Sequence, residues 1–383
     1  MPPKVTAVLF DLDGTLIDTE TLVNGVASEV VAGYGKSLTA EVQQAALGQR
    51  PIEAWGVVAK LLELPRTAEE LFAESEPKLS EKWQECKLLA GVQRLVDHLA
   101  AHGVPMAIGT STSRETLEKK MCCKQRLAER FPVIVTGDEV VNGKPAPDIY
   151  LEVAARMGVN PEECLVVEDA PAGFQSGIAA GMQVVAVPSL PGMDPDITAG
   201  CAKVLPSLMD FDPKEFGLPA FEDCIHGVVP MKPEWYIKGA VVRGFGRGSA
   251  TLGIPTANLP PESLMAELSG AVSGIYCGFA SLGDSPEVYK MVMSIGWNPY
   301  FKNTHRTAEP WILHEFKEPF YGEELRLVVC GYIRPEANFT TLEALIARIH
   351  EDAAVTRKAL EAPALASYAA NAYLKPPAEA SAA

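Results

Sequence analysis

Short β-branched runs alternate with longer helical patterns over the first 205 residues, and this alternation constrains the fold more than any other feature. The runs have the length and composition of buried strands and cover residues 5–10, 105–109, 133–136, 164–167 and 183–187. Strands that alternate with helices favour a parallel sheet wrapped by those helices. The sequence therefore predicts an α/β, Rossmann-like domain over residues 1–210.

A mainly helical segment interrupts this alternation after the first strand. Residues 17–88 contain helical patterns at about 57–64 and 69–83 and no clear strand. Such an insertion between the first two strands predicts a helical cap over the sheet.

The sequence changes character after residue 205. Five prolines interrupt regular elements between residues 206 and 233, and they predict a linker over residues 211–232: Pro206, Pro213, Pro219, Pro230 and Pro233. Strand-like runs separated by turn residues follow at 236–242, 275–280, 289–295, 311–316 and 325–333. This spacing predicts a small antiparallel β-barrel with a helix at 341–360, within a domain spanning 233–362, before a flexible Ala- and Pro-rich tail at 363–383.

Charge and cysteine content exclude several functional classes. The net charge of -16 disfavours a nucleic-acid partner, because a phosphate backbone would be repelled over most of the surface. No apolar run approaches the ~18 residues of a membrane-spanning helix. The eight cysteines lack metal-ligand spacing and suggest reduced thiols. The first strand begins close to Met1, so we expect a cytoplasmic protein without a leader, and no motif indicates a protein partner.

The segment VLFDLDGTLID carries two aspartates at the end of the first predicted strand. Open parallel sheets bind ligands at the carboxyl ends of their strands, so Asp11 and Asp13 lie where chemistry is expected. One aspartate can attack phosphorus while the other acts as general acid and then general base. A helix N-cap or a turn would explain one of these carboxylates, but not two of them flanking Leu12.

This segment resembles the signature of the haloacid dehalogenase superfamily, and its remaining motifs follow in order. Thr110 of PMAIGTSTS matches the hydroxyl that binds the phosphoryl group. Lys144 of NGKPAPDIY matches the basic residue that neutralises phosphate and nucleophile. Glu168 and Asp169 of CLVVEDAPAGF match the acidic pair that helps to hold magnesium.

The resemblance implies a role for each of these residues. Asp11 would be the nucleophile and Asp13 the acid/base, and Mg²⁺ would be held by Asp11, the Asp13 backbone carbonyl and Asp169, with Glu168 beside them. Oxygen ligands of this kind suit magnesium. The same stretch is similar to phosphatases for pseudouridine 5′-phosphate, sugar phosphates and glycerol phosphate, so this domain does not identify its substrate.

A second cluster of motifs lies in KGAVVRGFGRGSATLGIPTANLP. Its alternating glycines allow close approach to an anion, but the context fits neither a dinucleotide-binding fold nor a P-loop. In LGIPTANL, Thr256 and Asn258 offer oxygen ligands on one face of an extended chain held by Pro255.

This region strongly resembles riboflavin kinase, and the match continues through SGIYCGFAS, SIGWNPYFKNTHRTAEPWILHEF and PFYGEELRLVVCGYIRPEANF. The resemblance implies that Thr256 and Asn258 hold Mg²⁺ and phosphate and that Glu309 is the catalytic base for the ribityl hydroxyl. Further residues would contact the ligands. ATP would be covered by Gly244, Gly246, Gly248 and Ser249 and lined by Ile312, His314 and Tyr321. The flavin side would be formed by Arg334 and Phe339.

Three positions depart from this family. Relatives carry a lysine where Ala250 stands, a basic residue near Ala337 and a histidine where Trp311 stands. The loss of two cations predicts weaker binding of phosphate or flavin rather than loss of chemistry.

The two resemblances in one chain are similar to the plant and algal family that joins riboflavin kinase to FMN phosphatase. This implies that riboflavin, FMN and ATP are ligands, that the first domain hydrolyses FMN and that the second makes it. Two alternatives stay open: a phosphatase domain for another small phosphomonoester, or a non-catalytic module that senses a ligand.

Overall fold

A computed structural model of the chain describes residues 4–46, 51–189, 193–243, 254–260, 268, 271–297 and 306–375. These residues form two compact units, 1–220 and 221–383. Within the described ranges, no helix is both long and apolar enough to cross a membrane. The glycine-loop residues Gly244, Gly246, Gly248 and Ser249, together with Ala250, lie outside the described residues.

The first unit contains a six-stranded parallel sheet in the order β3-β2-β1-β4-β5-β6. Its strands are β1 Ala7–Phe10, β2 Met106–Gly109, β3 Val133–Val135, β4 Cys164–Glu168, β5 Gln183–Ala186 and β6 Lys203–Val204. The central strands are fully buried on both faces, as expected for an apolar parallel sheet covered by helices. The predicted α/β architecture is confirmed.

Helices connect these strands and cover the sheet. Outside the cap they are α5 Val92–Ala101, α6 Arg114–Met121, α7 Gln125–Ala128, α8 Asp148–Met157 and α9 Pro171–Ala179. Tyr150 of α8 and Phe174 of α9 are completely buried in the core on one side of the sheet. Because α8 and α9 lead into and out of β4, their packing fixes the end of that strand.

Four helices form the insertion after β1, as the sequence predicts for a cap. They are α1 Glu20–Gly33, α2 Ala40–Ala46, α3 Pro51–Leu62 and α4 Ala68–Lys82. Thr67 and Glu70 form a capping box that begins α4, and the Trp55 indole donates to Ser75 Oγ at 2.9 Å between α3 and α4. The insertion leaves and rejoins the core at adjacent points, since Asp18 N donates to Lys87 O at 2.9 Å.

The second unit is a five-stranded antiparallel sheet in the order β10-β9-β8-β11-β7. Its strands are β7 Val229–Ala240, β8 Gly274–Leu282, β9 Tyr289–Trp297, β10 Arg306–Ile312 and β11 Glu324–Arg334. The run predicted at 311–316 is displaced, because Ile312 is the last residue of β10 paired with β9 and the rings of His314 and Phe316 pack on Tyr289 instead.

Residues 254–260 connect the two edges of this sheet. Ala257 N donates to Pro310 O of the edge strand β10 at 2.8 Å. On the other side, Val242, which follows the edge strand β7, donates its N–H to Asn258 O at 2.9 Å. The segment that carries Thr256 and Asn258 thereby occupies the position of a closing strand.

Helix α10, Leu342–Ala359, follows β11 and begins with Thr341 as its N-cap, whose hydroxyl accepts from Ala344 N. The prediction of a flexible tail is wrong for residues 363–374, which fold into α11 Pro363–Ala366 and two short 3₁₀ helices, and residues 376–383 lie outside the described ranges. Leu365 and Leu374 are each 1% exposed in one apolar cluster with β8 and β11. Burial of these leucines stabilises the segment, although its Ala-rich composition suggested disorder.

A buried ion pair joins α10 to the end of β11. Arg334 donates through Nε to Asp352 Oδ1 at 2.9 Å and through Nη2 to Oδ2 at 2.6 Å, and the Asp352 side chain is only 2% exposed. We expect Asp352→Ala to destabilise the second unit by about 3–5 kcal/mol, because it leaves a guanidinium that is only 12% exposed without this partner. Denaturant unfolding checks this, with Glu351→Ala as control. An unchanged transition of the second unit would contradict it.

Candidate functional sites

The first candidate site lies at the carboxyl ends of three neighbouring strands. Asp11 follows β1, Thr110 follows β2, and Glu168 ends β4 with Asp169 next to it. Strand β1 lies between β2 and β4, with Phe10 opposite both Ile108 and Val167. This strand order brings together residues that are up to 158 positions apart in sequence.

Lys144 connects all three strand ends. Its Nζ lies 2.5 Å from Asp11 Oδ1, 2.6 Å from Glu168 Oε1 and 2.9 Å from the Gly109 carbonyl oxygen. The side chain is only 5% exposed, so its ammonium group depends on these partners for solvation. A buried cation beside a strand-end carboxylate is suited to neutralise a phosphoryl group at that point.

Glu168 is held by four donors. Oε1 accepts from Lys144 and from the Tyr150 hydroxyl at 2.9 Å, while Oε2 accepts from the backbone N–H groups of Asp169 and Ala170 at 3.0 and 3.3 Å. These bonds fix both the carboxylate and the start of the loop that carries Asp169. Tyr150 is a supporting residue that the sequence motifs did not identify.

Three buried carboxylates form a potential metal site. One oxygen from each of Asp11, Glu168 and Asp169 lies within 4.8 Å of the others. Burial first, and then the carboxylates of Glu168 and Asp13, raise the pKa of Asp11 to about 8 despite the opposing effect of Lys144. Burial and the neighbouring Glu168 and Asp11 also raise the pKa of Asp169 well above its usual range. Bound divalent cations relieve this kind of repulsion.

Gly14 allows the loop after β1 to approach Asp169. Its φ of +80° lies in the left-handed region, and a side chain there would collide with the Asp169 carboxylate. The Thr15 hydroxyl donates to Asp169 Oδ1 at 3.4 Å from the same loop. The glycine of DLDGT is therefore required by close packing as well as by backbone conformation.

Asp13 has its own partners. Its Oδ1 accepts from Lys120 Nζ at 2.7 Å, and its Oδ2 accepts from the Thr112 hydroxyl at 2.6 Å. Burial acts to raise the pKa of Asp13, but Lys120, Thr112 and Thr19 together outweigh burial and lower it. Thr110, which is 1% exposed, accepts from Thr112 N at 3.1 Å and so belongs to the same loop structure.

None of the sequence motifs identifies Lys120, although the sequence contains a signal for it. Leu117, Lys120 and Met121 have the i, i+3, i+4 spacing of one helix face, and all three are buried on α6. A lysine on an apolar stripe requires a buried anion, and Asp13 supplies it.

The second candidate site is built on the closing segment and β10. Ala257 and Pro310 are buried and hydrogen-bonded to each other through their backbones. Because successive side chains in extended chains point to opposite faces, the neighbours of these two residues share the outward face. The predicted Mg²⁺ ligands Thr256 and Asn258 therefore lie on the same side as Glu309, one strand away.

The predicted ATP-lining residues differ in exposure. Tyr321 is 55% exposed, and the Arg243 guanidinium, next to the glycine loop, lies 5.2 Å from its ring centroid. His314 packs against Tyr289 with ring centroids 4.7 Å apart. Ile312 is only 4% exposed and contributes to the core instead of an open surface.

The residues predicted for the flavin side lie at the junction of β11 and α10. Arg334 lies 6.0 Å from the Phe339 ring centroid, while its nitrogens bind Asp352 and the Pro335 carbonyl oxygen. Trp311, one of the three positions predicted to depart from the family, packs edge to face with His350 of α10, with ring centroids 5.9 Å apart.

Two protein families match the two units by sequence. Residues 8–187 match the haloacid dehalogenase-like hydrolases, and residues 231–360 match riboflavin kinase. These matches agree with the strand-end carboxylates of the first unit and the antiparallel sheet of the second.

Curated relatives show the same division. A bifunctional riboflavin kinase/FMN phosphatase of Arabidopsis thaliana is 46% identical over 96% of this chain and 97% of the relative. A riboflavin kinase of Homo sapiens is 55% identical over 34% of this chain and 83% of its own length. A probable pseudouridine-5′-phosphatase of Drosophila melanogaster is 39% identical over 57% of this chain and 97% of its own length. One relative thus spans both units, and the others each match one.

Proposed function

The chain belongs to the family of bifunctional riboflavin kinase/FMN phosphatases, and on this premise we propose that its two units catalyse opposing reactions. The first unit hydrolyses FMN to riboflavin and phosphate through an aspartyl-phosphate. The second transfers the γ-phosphoryl group of ATP to riboflavin. For the phosphatase, the main support is Lys144, which joins Asp11, Gly109 and Glu168 at the sheet edge within 2.9 Å.

The phosphatase reaction proceeds in two steps. The Asp11 carboxylate attacks phosphorus, the ester P–O bond breaks, and Asp13 gives a proton to the leaving oxygen. Asp13 then takes a proton from a water molecule that attacks the aspartyl-phosphate, which releases phosphate and regenerates Asp11. Lys144 balances charge on the phosphoryl oxygens throughout, and the Thr110 hydroxyl donates a hydrogen bond to them.

Magnesium fits the acidic cluster of the first site. Asp11, Asp169 and the Asp13 backbone carbonyl would hold it. Glu168 is bonded to Lys144, Tyr150 and two backbone N–H groups, and from this position beside the ion it would orient the residues that hold the ion. The raised pKa values of Asp11 and Asp169 reflect crowded buried charge of the kind a divalent cation offsets. When bound, the ion would neutralise charge on phosphate and nucleophile.

In the kinase reaction, Glu309 accepts the proton of the ribityl 5′-hydroxyl while that oxygen attacks the γ-phosphorus and ADP leaves. Thr256 and Asn258 would hold Mg²⁺ and phosphate on the same outward face. The backbone bond between Ala257 and Pro310 supports this arrangement, because it holds both groups one strand from the base. The glycine loop that begins after Arg243 would cover the nucleotide.

A substrate panel tests the phosphatase assignment. Purified protein with Mg²⁺ and without ATP is given FMN, pseudouridine 5′-phosphate, glycerol 3-phosphate and sugar phosphates, and phosphate release is followed. We expect FMN to have the highest kcat/KM, because substrate and product are then shared with the kinase unit. A panel in which FMN is among the poorest substrates would contradict this.

A second candidate function is a riboflavin kinase joined to a phosphatase for another small phosphomonoester. The Drosophila relative, a probable pseudouridine-5′-phosphatase, aligns over 97% of its length with 57% of this chain. The same panel distinguishes the two candidates. A purely ligand-sensing first unit is less well supported, because the predicted catalytic and metal-binding residues lie together at one edge of the sheet: Asp11, Asp13, Thr110, Lys144 and Asp169.

A further inference from the structure

Lys120 is a buried cation that the mechanism above does not use. Its side chain is 6% exposed, although its neighbours on α6 are the exposed Glu118 and the partly exposed Lys119. Burying an ammonium group costs several kcal/mol unless it is paired, so a lysine at this position implies a specific partner. That partner is the Asp13 carboxylate at 2.7 Å.

Lys120 and Thr112 together hold both oxygens of Asp13. Lys120 Nζ donates to Asp13 Oδ1 and also to Thr112 Oγ1 at 3.0 Å, and the Thr112 hydroxyl donates to Asp13 Oδ2 at 2.6 Å. The three side chains form a closed hydrogen-bonded ring. A carboxylate held at both oxygens has little freedom to rotate, and this is the condition for proton transfer in a fixed direction.

The same ammonium group contacts the end of the cap. Lys120 Nζ lies 4.4 Å from the centroid of the Trp83 ring. Trp83 begins the short 3₁₀ helix Trp83–Glu85 that follows α4, the last cap helix, and is 4% exposed. A cation over a buried indole is attracted to the ring face. Lys120 therefore touches the predicted acid/base and the last turn of the cap at once.

We propose that Lys120 is a positioning residue that orients the Asp13 carboxylate for proton transfer and links this orientation to the cap through Trp83. This inference rests on the phosphatase chemistry proposed above. It does not depend on FMN being the substrate, because FMN, pseudouridine 5′-phosphate and glycerol 3-phosphate all release a primary alcohol. Such leaving groups need a proton, whereas p-nitrophenolate leaves without one.

The test compares Lys120→Met with wild type on the best primary-alcohol phosphate of the panel and on p-nitrophenyl phosphate. We expect kcat for the alkyl substrate to fall about 10- to 100-fold with little change in KM, since misplacing an acting group by about 1 Å has effects of this size. The stopped-flow burst of p-nitrophenolate should keep its wild-type rate. Lys119→Met, at a lysine whose side chain is 39% exposed and paired with Glu115, serves as matched control.

Two further variants separate positioning from damage to the fold. Lys120→Arg should recover part of the alkyl-phosphate activity, and Lys120→Met should add no further loss in an Asp13→Asn background. Equal losses on the alkyl substrate and in the p-nitrophenolate burst, or additive losses in the double variant, would overturn the inference. If wild type releases no p-nitrophenolate, or Asp11→Asn remains active, the phosphatase mechanism itself fails. If these two tests of the mechanism hold but Lys120→Met is as active on the alkyl phosphate as Lys119→Met, only the role of Lys120 fails.

Discussion

Asp11→Asn is expected to abolish phosphate release from FMN while ATP-dependent formation of FMN stays at the wild-type rate. An amide cannot form the aspartyl-phosphate, and removal of a covalent nucleophile commonly lowers kcat by on the order of 10⁴-fold or more. The Lys144 ammonium, 2.5 Å from Asp11 Oδ1, can still bond to an amide oxygen, so the site should keep its shape. Phosphate release and FMN synthesis are measured on the same preparation.

The matched control is Asp97→Asn, an aspartate on α5 whose side chain is 35% exposed and paired with Arg130. It should retain both activities. Because Asp11 lies in the unit 1–220 and Glu309 in the unit 221–383, the proposed sites use different parts of the chain. Loss of kinase activity in Asp11→Asn at unchanged thermal stability would contradict this separation.

For the first candidate site, the sequence predicted which residues lie at the strand ends better than it predicted the side chains that hold them in place. Asp11, Thr110, Glu168 and Asp169 were identifiable because each stands at or just after the end of an apolar strand. Lys144 was identifiable from its own motif, but its contact with Glu168 and the Tyr150 hydroxyl on the same carboxylate oxygen were not, since they depend on the strand order β2-β1-β4 and not on local spacing.

The second unit shows a different limit. Strand-like runs separated by turn residues predicted an antiparallel sheet. The Ala- and Pro-rich composition of the last residues predicted a flexible tail, but Leu365 and Leu374 in this segment are buried. Alanine-rich segments give a weak hydrophobic pattern, so their packing depends on a surface formed by distant strands. The pairing of Arg334 with Asp352 was also not predictable, because the motif assigns Arg334 to the flavin and gives no partner on the helix that follows.

Glu309→Gln is expected to give the opposite result, with riboflavin phosphorylation lowered by about 10²- to 10⁴-fold in kcat and phosphate release from FMN unchanged. The amide keeps the size of the side chain on β10 but cannot accept the proton of the ribityl hydroxyl. KM for ATP should change little, because Thr256, Asn258 and the glycine loop are the groups assigned to the nucleotide. Coupled detection of ADP measures the kinase rate.

Glu315→Gln is the matched control, since Glu315 is an exposed glutamate just beyond β10. If Glu309 only contributed surface charge, both variants would lose equally little activity and the base assignment would fail. A rise in KM for ATP without a fall in kcat would instead place Glu309 with the nucleotide. The geometry favours the base, because the Ala257–Pro310 backbone bond holds Glu309 on the face that carries Thr256 and Asn258, where hydroxyl and phosphate would meet.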